Sequence, residues 1–276
     1  MQILQAIILG IAQGTGEFLP ISSSGHLIAV PYLLNFKDPG LTFDVALHLA
    51  TAIAVIAYFW KDWAFIIGRG LGIHKSNVPD ELHDYPRVLL WFIVAATIPG
   101  AIAGYFLEGE AETFFRNPLI LAATFSVFAL ILYAADRAAK HREGLSQVSF
   151  VEAMAIGIAQ AISIVPGVSR SGITATAGMF SGLSREAAMR FSFLLSTPII
   201  LGAAIFKFKD VFEVGFKSAF NGTPVVAVVI GFLTALLVGF LSIKYLLRYL
   251  SHGSFIPFVV YRLILAAIIV IVFLTR

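Results

Sequence analysis

A polar stretch at residues 13–26 interrupts an otherwise apolar chain, and it recurs in altered form at residues 160–174. Both copies begin at the end of the same four residues, Gly-Ile-Ala-Gln. Both then run through a proline into a serine cluster that ends in glycine, Ser22-Ser23-Ser24-Gly25 in the first and Ser169-Arg170-Ser171-Gly172 in the second. The duplication predicts two related halves whose polar stretches meet in one site.

The rest of the chain has the composition of a protein that is embedded in a bilayer. Of 276 residues, 59% are hydrophobic and 13% are charged, with a mean hydropathy of +0.90. Soluble domains have roughly 45–50% apolar and about 25% charged residues. The net charge of +3, with basic residues mainly in short connectors, fits headgroup anchoring and not nucleic-acid binding. The lack of cysteine excludes disulfides, thiol catalysis and cysteine-ligated metals.

Six stretches approach the length of about 20 apolar residues that a membrane-crossing helix needs. They are residues 45–60, 88–106, 119–135, 187–206, 225–243 and 255–274. Shorter apolar arms flank each polar stretch, at 3–12 and 27–34 and at 151–159 and 173–180. Each arm reaches only about half-way across a bilayer at the helical rise per residue. Irregular backbone at membrane depth occurs only inside protein or beside a wet cavity. We therefore predict two re-entrant helical hairpins, with interfacial helices as the weaker alternative.

The repeat extends beyond the hairpins, because residues 42–48 align with residues 184–190. Each segment places a hydroxyl residue before an acid at a helix start. Three crossings per half is an odd number, so the second half must enter the membrane inverted relative to the first. The predicted fold is an all-α integral membrane protein, a single domain of residues 1–276. Its internal repeats cover approximately residues 1–140 and 147–276.

The charges of the connectors predict how the chain is oriented in the membrane. Ten basic residues fall on one side of the predicted topology and six on the other. The positive-inside rule makes the first side cytoplasmic. Both termini are then expected outside.

Glu17 lies between two half-membrane arms, where a carboxylate is costly to bury unless it is paired or bound to a metal. A glutamate at a water-exposed hairpin tip is the alternative. The neighbouring Gly14, Gly16 and Pro20 favour a shaped backbone instead. Mg²⁺ is typically held by one or two carboxylates plus substrate phosphates. Glu17 is therefore a candidate metal ligand if a phosphate substrate completes the coordination.

The serine- and glycine-rich clusters can cradle an anion, particularly ahead of a helix. If the segment begins a helix, Ser23 and His26 share one face of it, and such a pair can activate a nucleophile or protonate a leaving group. Helix capping explains the serines alone equally well, and a Ser/His pair by itself is a weak signal. The candidate substrate-binding residues are Gln13, Ser22, Ser24, Gly25, Gly167, Ser169, Ser171, Gly172 and Thr174.

Arg170 lies in the apolar middle of the second half, where an uncompensated guanidinium is unfavourable by several kcal/mol. It needs a carboxylate or a phosphate, which its planar fork suits. An ion pair with Glu17 alone is the alternative, but only a bound phosphate also explains the glycine- and serine-rich backbone. His48 and Arg190, at equivalent repeat positions, are candidates to line the same cavity. Arg262 is either a buried partner or a snorkelling residue.

At these residues the sequence resembles the bacterial undecaprenyl-diphosphate phosphatases of the bacitracin-resistance family, over essentially the whole chain. The first hallmark, (E/Q)xxxE followed by PxSSSGH, matches residues 13–26, and the second, PGxSRSGxT, matches residues 166–174. Gln13 stands where some members have glutamate, which removes a second metal-binding carboxylate. Gly16 replaces a common threonine, and Ala50 replaces a frequent glycine.

The resemblance implies hydrolysis of undecaprenyl diphosphate to undecaprenyl phosphate, which recycles the lipid carrier of cell-wall synthesis. It also implies a divalent cation, Mg²⁺ or Ca²⁺. The implied location is the bacterial inner membrane, with the active site opening to the periplasmic side. The expected partners are the polyprenyl diphosphate and membrane lipids, with no nucleic acid and with a homodimer left open.

Roles follow for the four residues predicted to be catalytic. Arg170 is expected to clamp the phosphates, and Glu17 to bind the metal or transfer a proton. Ser23 is the candidate nucleophile, and His26 its base or the acid for the leaving group. Direct attack by water, and His26 as the nucleophile, stay open. The rival function is an inverted-repeat transporter or flippase for a polyprenyl phosphate, since broken helices at mid-membrane are typical of transporters.

Overall fold

The computed structural model describes residues 2–36, 41–73, 85–114, 117–139, 144–214 and 223–276, with the backbone alone at 41–42, 108–114 and 205–214. This described part of the chain is helical, with no strand. Its α-helices are α1 (Ile3–Phe18), α2 (Ser23–Leu34), α3 (Leu41–Tyr58), α4 (Trp60–Gly70), α5 (Leu89–Phe114), α6 (Pro118–Ala138), α7 (Phe150–Ile162), α8 (Arg170–Phe180), α9 (Arg185–Val214), α10 (Val225–Leu250) and α11 (Ile256–Thr275).

Five helices, α5, α6, α9, α10 and α11, are long and apolar enough to cross a membrane. The sixth predicted crossing is the bent pair α3 and α4, whose axes differ by 71°. The helix was expected to run to Trp60, but it breaks at Phe59 and Trp60 begins α4. α4 carries charged residues beside the buried Phe65 and Ile66, a pattern that suits an interfacial helix better than a lipid-spanning one. The prediction of an integral membrane helical protein is confirmed.

Both predicted breaks are present, but they are shorter than expected. α1 continues through Gly14 and Gly16 to Phe18, so the first break covers only residues 19–22, and the second covers 163–169. The glycines allow close packing instead of ending the helix. A Cβ at Gly14 would lie 2.8 Å from the Ala235 carbonyl oxygen in α10, and one at Gly16 would lie 2.7 Å from Cα of Ser23.

The two breaks end in the same unusual backbone conformation. Ser22 and Ser169 have φ of 72° and 73°, in a region that non-glycine residues rarely adopt. Each serine caps the following helix, with its Oγ accepting from the backbone N–H of Gly25 or of Gly172. Such strain persists only where the surroundings enforce it, and it concentrates at functional sites. Both helices after the breaks therefore start at defined positions.

The helices that lead into the breaks pack against crossing helices from the other half of the sequence. α1 packs mainly on α10, and α7 mainly on α5. Backbone meets backbone in both contacts. A Cβ at Gly10 would lie 2.7 Å from the Gly231 carbonyl oxygen, and one at Gly157 would clash with backbone atoms of Ala96. The two Gly-Ile-Ala-Gln segments thus serve close helix packing.

Gly157→Ala should destabilise the protein, because its Cβ can be accommodated only if α5 and α7 move apart. Overpacking of this kind typically costs about 1–3 kcal/mol. Thermal unfolding in detergent measures the effect. Gly104→Ala in α5 is the matched control, since no atom lies within 4 Å of its added Cβ and alanine favours a helix over glycine. Equal unfolding temperatures for Gly157→Ala and wild type would contradict the packing described here.

Arg262 is completely buried, so it does not snorkel. Its guanidinium donates to four backbone carbonyl oxygens, those of Pro20 (3.2 Å), Gly167 (2.7 Å), Val168 (3.1 Å) and Phe125 (3.3 Å). Two of the acceptors follow the proline of the second break, and one is the proline of the first. Arg262 therefore ties the two breaks together from α11.

Some sequence predictions are only partly covered by the described residues. The hydroxyl cap before α9 is confirmed, because Ser184 Oγ accepts from the backbone N–H of Ala187. The equivalent Thr42 side chain lies outside the described part, as do residues 74–84, 115–116, 140–143 and 215–222. Part of the charge count that predicted the orientation falls in those connectors.

Candidate active site

A cavity of about 330 Å³ joins the two breaks. Polar residues around Glu17 and Arg170 line one part of it, called here the polar end, and small and apolar residues of α5 and α9, among them Gly100, Gly104 and Ile199, line another part, called the apolar wall. Six of the predicted site residues line the polar end: Glu17, Ser22, Ser23, Ser24, Ser169 and Arg170. The prediction that both halves contribute to one cavity therefore matches the geometry.

Glu17 is the centre of the polar end, and it is only 6% exposed. Its Oε1 accepts from Arg170 Nη2 at 2.6 Å, which joins the two halves by an ion pair. Its Oε2 accepts from Ser23 Oγ at 2.7 Å and from Gln13 Nε2 at 3.1 Å. The carboxylate is thus held by three donors, in agreement with the high cost of burying an unpaired charge.

The ion pair does not use all of the Arg170 guanidinium. Its Nη1 is buried and has no hydrogen-bond partner among the described residues. A buried donor left unpaired costs about 1–3 kcal/mol, and more when it is charged. A phosphate oxygen at Nη1 would satisfy it, and arginine is well suited to bind phosphate through its fork. An ion pair with Glu17 alone therefore leaves Arg170 with an unpaired donor.

Two helix N-termini lie at the same end of the cavity. Ser23 is the first residue of α2, and Arg170 is the first residue of α8. The first N–H groups of a helix have no intrahelical acceptor, and the helix dipole makes this end partially positive. A helix N-terminus favours a bound anion for both reasons. The N-termini and Arg170 together make the site electropositive around Glu17.

His26 lies beside the site but does not line the cavity. Its Nδ1 is 2.7 Å from the Ser22 carbonyl oxygen and its Nε2 is 2.6 Å from the Tyr261 hydroxyl. A carbonyl can only accept, so Nδ1 donates and Nε2 accepts from Tyr261 in the neutral ring. The ring also stacks on Tyr261. Because Ser23 donates to Glu17 instead, the structure corrects the expected Ser23–His26 pair to a Ser23–Glu17 pair.

The other predicted binding residues support the cavity from behind its wall. Gln13 holds Glu17, and Ser171 Oγ donates to the Leu19 carbonyl oxygen at 3.1 Å. Both contacts fix the first break, which places Ser23. These two residues fix their neighbours and do not line the cavity, and direct contact with the substrate stays a prediction for them.

Thr174 and the three predicted glycines do not line the cavity either, and their contact with the substrate also stays a prediction. Thr174 Oγ1 is 2.6 Å from a serine hydroxyl of α9. A Cβ at Gly25 would lie 2.6 Å from the ring of Phe125, and one at Gly172 would lie 3.1 Å from the capping serine before it. Gly167 has φ of 91°, and its N–H donates to Ser22 Oγ at 3.1 Å. Packing and turn geometry explain glycine at these positions.

His48 and Arg190, which share a repeat position, lie in different surroundings. His48 lines the cavity, with Nε2 3.7 Å from Glu17 Oε2. Arg190 bonds Asp62 Oδ1 and the Tyr85 hydroxyl, both at 3.1 Å, and it is not part of the cavity wall. The sequence-based expectation for this pair holds for His48 and fails for Arg190.

The divalent cation was tested against the donors present. Within the described part of the chain, no three His, Cys, Asp or Glu side chains are grouped to hold a metal ion. Glu17 and Asp44 are the carboxylates that line the cavity. Mg²⁺ commonly binds one or two carboxylates together with substrate phosphates. The donor set thus fits a cation shared with the substrate, and not one held by the protein alone.

Comparison with known proteins gives concordant matches. The family model described as "Bacitracin resistance protein BacA" matches residues 6–268. An undecaprenyl-diphosphatase from Moorella thermoacetica is 50% identical over 278 residues, which cover 100% of both chains. Proteins of the same name from Pelotomaculum thermopropionicum and Desulforudis audaxviator are 46% and 43% identical, each over 100% of this chain and over 98% and 100% of their own lengths.

Proposed function

The chain belongs to the bacitracin resistance protein BacA family, and we infer from this membership how its cavity works. The protein hydrolyses undecaprenyl diphosphate to undecaprenyl phosphate and inorganic phosphate. This reaction recycles the lipid carrier of cell-wall synthesis and confers bacitracin resistance. The observation that carries the site assignment is the Glu17–Arg170 contact in the cavity wall, which leaves the buried Arg170 Nη1 without a hydrogen-bond partner among the described residues.

Substrate binding follows from the two ends of the cavity. The diphosphate binds at the polar end, where Arg170 Nη1 and the first N–H groups of α2 and α8 neutralise the terminal phosphate. The isoprenoid chain lies against the apolar wall of α5 and α9, which contains Gly100 and Ile199. Such positioning converts hydrolysis into a reaction between groups that are already oriented.

Ser23 and Glu17 carry the chemical step in this proposal. Ser23 Oγ attacks the terminal phosphorus and gives its proton to Glu17 Oε2, 2.7 Å away. The bond from that phosphorus to the bridging oxygen breaks, and undecaprenyl phosphate leaves with the proton from Glu17. Water then hydrolyses the phosphoserine to release inorganic phosphate and restore Ser23. In the remaining alternative, Ser23 only binds the phosphate and Glu17 takes the proton of an attacking water.

The substrate itself activates Glu17. Before binding, Arg170 gives one donor to the carboxylate and has another unused. When Arg170 also binds a phosphate, its positive charge is shared between two anions, and its stabilisation of the Glu17 carboxylate weakens. The carboxylate then accepts a proton more readily at the moment when the nucleophile must lose one.

A divalent cation, Mg²⁺ or Ca²⁺, remains a proposal that the chemistry of the substrate supports. Glu17 would hold it together with the phosphate oxygens, and it would supply charge neutralisation for the diphosphate. Loss of phosphate release after chelation, with recovery on adding Mg²⁺ or Ca²⁺, is the expected result. Full activity in excess chelator would show that hydrolysis needs no divalent cation.

We also propose that the protein lies in the bacterial inner membrane with the cavity open to the periplasmic side. The cavity walls come from the start of α3 and from the later parts of α5 and α9. Those helix ends lead to the connectors that carry fewer basic residues, which the positive-inside rule places outside. Labelling of a cysteine in connector 61–87 by an impermeant reagent on intact cells would reverse the assignment.

A homodimer is a further proposal, which light scattering of the detergent complex would test.

Ser23→Ala should reduce phosphate release from undecaprenyl diphosphate about a hundredfold or more, since it removes either the nucleophile or a phosphate donor. The assay uses purified protein in detergent micelles, where no second compartment exists and transport cannot contribute. Acid-quenched wild type should carry phosphate on Ser23 that mass spectrometry detects. If Ser23→Ala is inactive and wild type carries no phosphoserine, the water route replaces serine attack. Near-normal turnover of Ser23→Ala would contradict both routes.

A further inference from the structure

Gln160 has an unpaired amide and belongs to the wall of the cavity. Its side chain lines the cavity wall and is only 2% exposed. Neither its Oε1 nor its Nε2 has a hydrogen-bond partner in the part of the chain that the structure describes. Buried polar groups in native proteins are almost always hydrogen-bonded, and each exception calls for an explanation such as a missing ligand. The sequence predictions had not included Gln160 as a site residue.

The repeat shows why this amide is free. Gln160 occupies the position in the second polar stretch that Gln13 occupies in the first. Gln13 Nε2 bonds Glu17, four residues later on the same helix face. Four residues after Gln160 the chain has Ile164, which offers no acceptor. The second half thus keeps the amide and lacks its carboxylate.

Gln160 lines the same cavity as Arg170 and lies next to the apolar wall. A Cβ at Gly100 would be 3.0 Å from Gln160 Nε2 and 3.3 Å from Ile199 Cδ1. Gly100 and Ile199 both belong to the wall proposed to hold the isoprenoid chain. A lipid diphosphate whose terminal phosphate binds Arg170 and whose chain lies on this wall has its lipid-linked phosphate between the two, near Gln160.

We propose that the Gln160 amide binds the lipid-linked phosphate, the one that remains on the product, through hydrogen bonds from Nε2 to its oxygens. The proposal rests on the function proposed above, and it makes Gln160 a binding residue and not part of proton transfer. The contact is the same before and after the terminal phosphate is cleaved. It should therefore contribute to binding of both the substrate and undecaprenyl phosphate, and leave the chemical step nearly unchanged.

The test is Gln160→Met, which keeps the size of the side chain and removes its hydrogen bonds. A hydrogen bond to a charged group is worth enough to raise the KM for undecaprenyl diphosphate about tenfold or more. The inhibition constant of undecaprenyl phosphate should rise by a similar factor, with kcat within about threefold of wild type. Inhibition by inorganic phosphate, which represents the terminal phosphate, should stay the same. Gln147→Met, an exposed amide outside the cavity, is the matched control.

Thermal unfolding without substrate separates binding from a structural role. Removal of an unpaired buried amide should leave the unfolding temperature of Gln160→Met equal to or above that of wild type. The proposal is overturned if KM and inhibition by undecaprenyl phosphate are unchanged in Gln160→Met, or if inhibition by inorganic phosphate weakens by the same factor. It is also overturned if the unfolding temperature falls together with kcat. If wild type itself releases no phosphate from undecaprenyl diphosphate, the proposed function fails and not this inference alone.

Discussion

Arg170→Ala should lower kcat/KM for undecaprenyl diphosphate by about a thousandfold or more, the range seen when an arginine that stabilises phosphoryl transfer is lost. The variant loses the phosphate donor at Nη1 and the ion pair that holds Glu17 at 2.6 Å. Glu17 is then a buried carboxylate without the guanidinium that pairs with it. It therefore neither stays fixed beside Ser23 nor responds to substrate binding. Phosphate release by purified protein in detergent micelles measures the effect.

Two further variants show what this loss means. Arg170→Lys keeps the charge but cannot bind a carboxylate and a phosphate through one planar fork, so it should recover only a small part of the activity. Arg137→Ala, an exposed arginine at the end of α6, should behave like wild type. Arg170→Ala with near-normal turnover would remove Arg170 from the site.

Arg262→Met should destabilise the protein by about 3 kcal/mol or more, because three buried carbonyl oxygens outside the helices lose this donor and each unpaired group costs about 1–3 kcal/mol. The carbonyl oxygens of Pro20, Gly167 and Val168 belong to the two breaks. Loss of their common donor should therefore loosen the positions of Ser23 and Arg170 as well. Thermal unfolding in detergent measures the stability, and the micelle assay measures the accompanying loss of turnover.

The control for this change is Arg248→Met at the exposed end of α10. It removes the same charge without removing a buried contact, so its unfolding temperature should match that of wild type. If Arg262→Met also unfolds at the wild-type temperature, then Arg262 does not hold the breaks together, and their shared conformation needs another cause.

The sequence predicts the architecture well because that part of the fold depends on local patterns. Apolar length locates the crossings, and the repeated Gly-Ile-Ala-Gln and serine clusters locate the two breaks. It also predicts the Glu17–Arg170 meeting, since a buried carboxylate and a buried guanidinium each need a counter-charge. These inferences require no knowledge of which helices are neighbours.

The predictions that failed depend on neighbours that are distant in the chain. The first apolar arm was expected to end at residue 12, but α1 continues through Gly14, which packs closely on α10, more than 200 residues later. His26 was expected to form a hydrogen-bonded pair with Ser23, but its Nε2 bonds the hydroxyl of Tyr261, 235 residues away. Gln160 was visible as the repeat partner of Gln13, yet only the cavity shows that its amide is unpaired. Each case needed the packing of the two halves.

The most direct test of a shared site is a double-mutant cycle on kcat/KM with Glu17→Gln, Arg170→Met and both together. If the carboxylate of one half and the guanidinium of the other act as a unit on one diphosphate, each single variant should lose about a thousandfold and the double variant little more. Losses that multiply, so that the double variant falls by the product of the two single effects, would mean that the residues act independently.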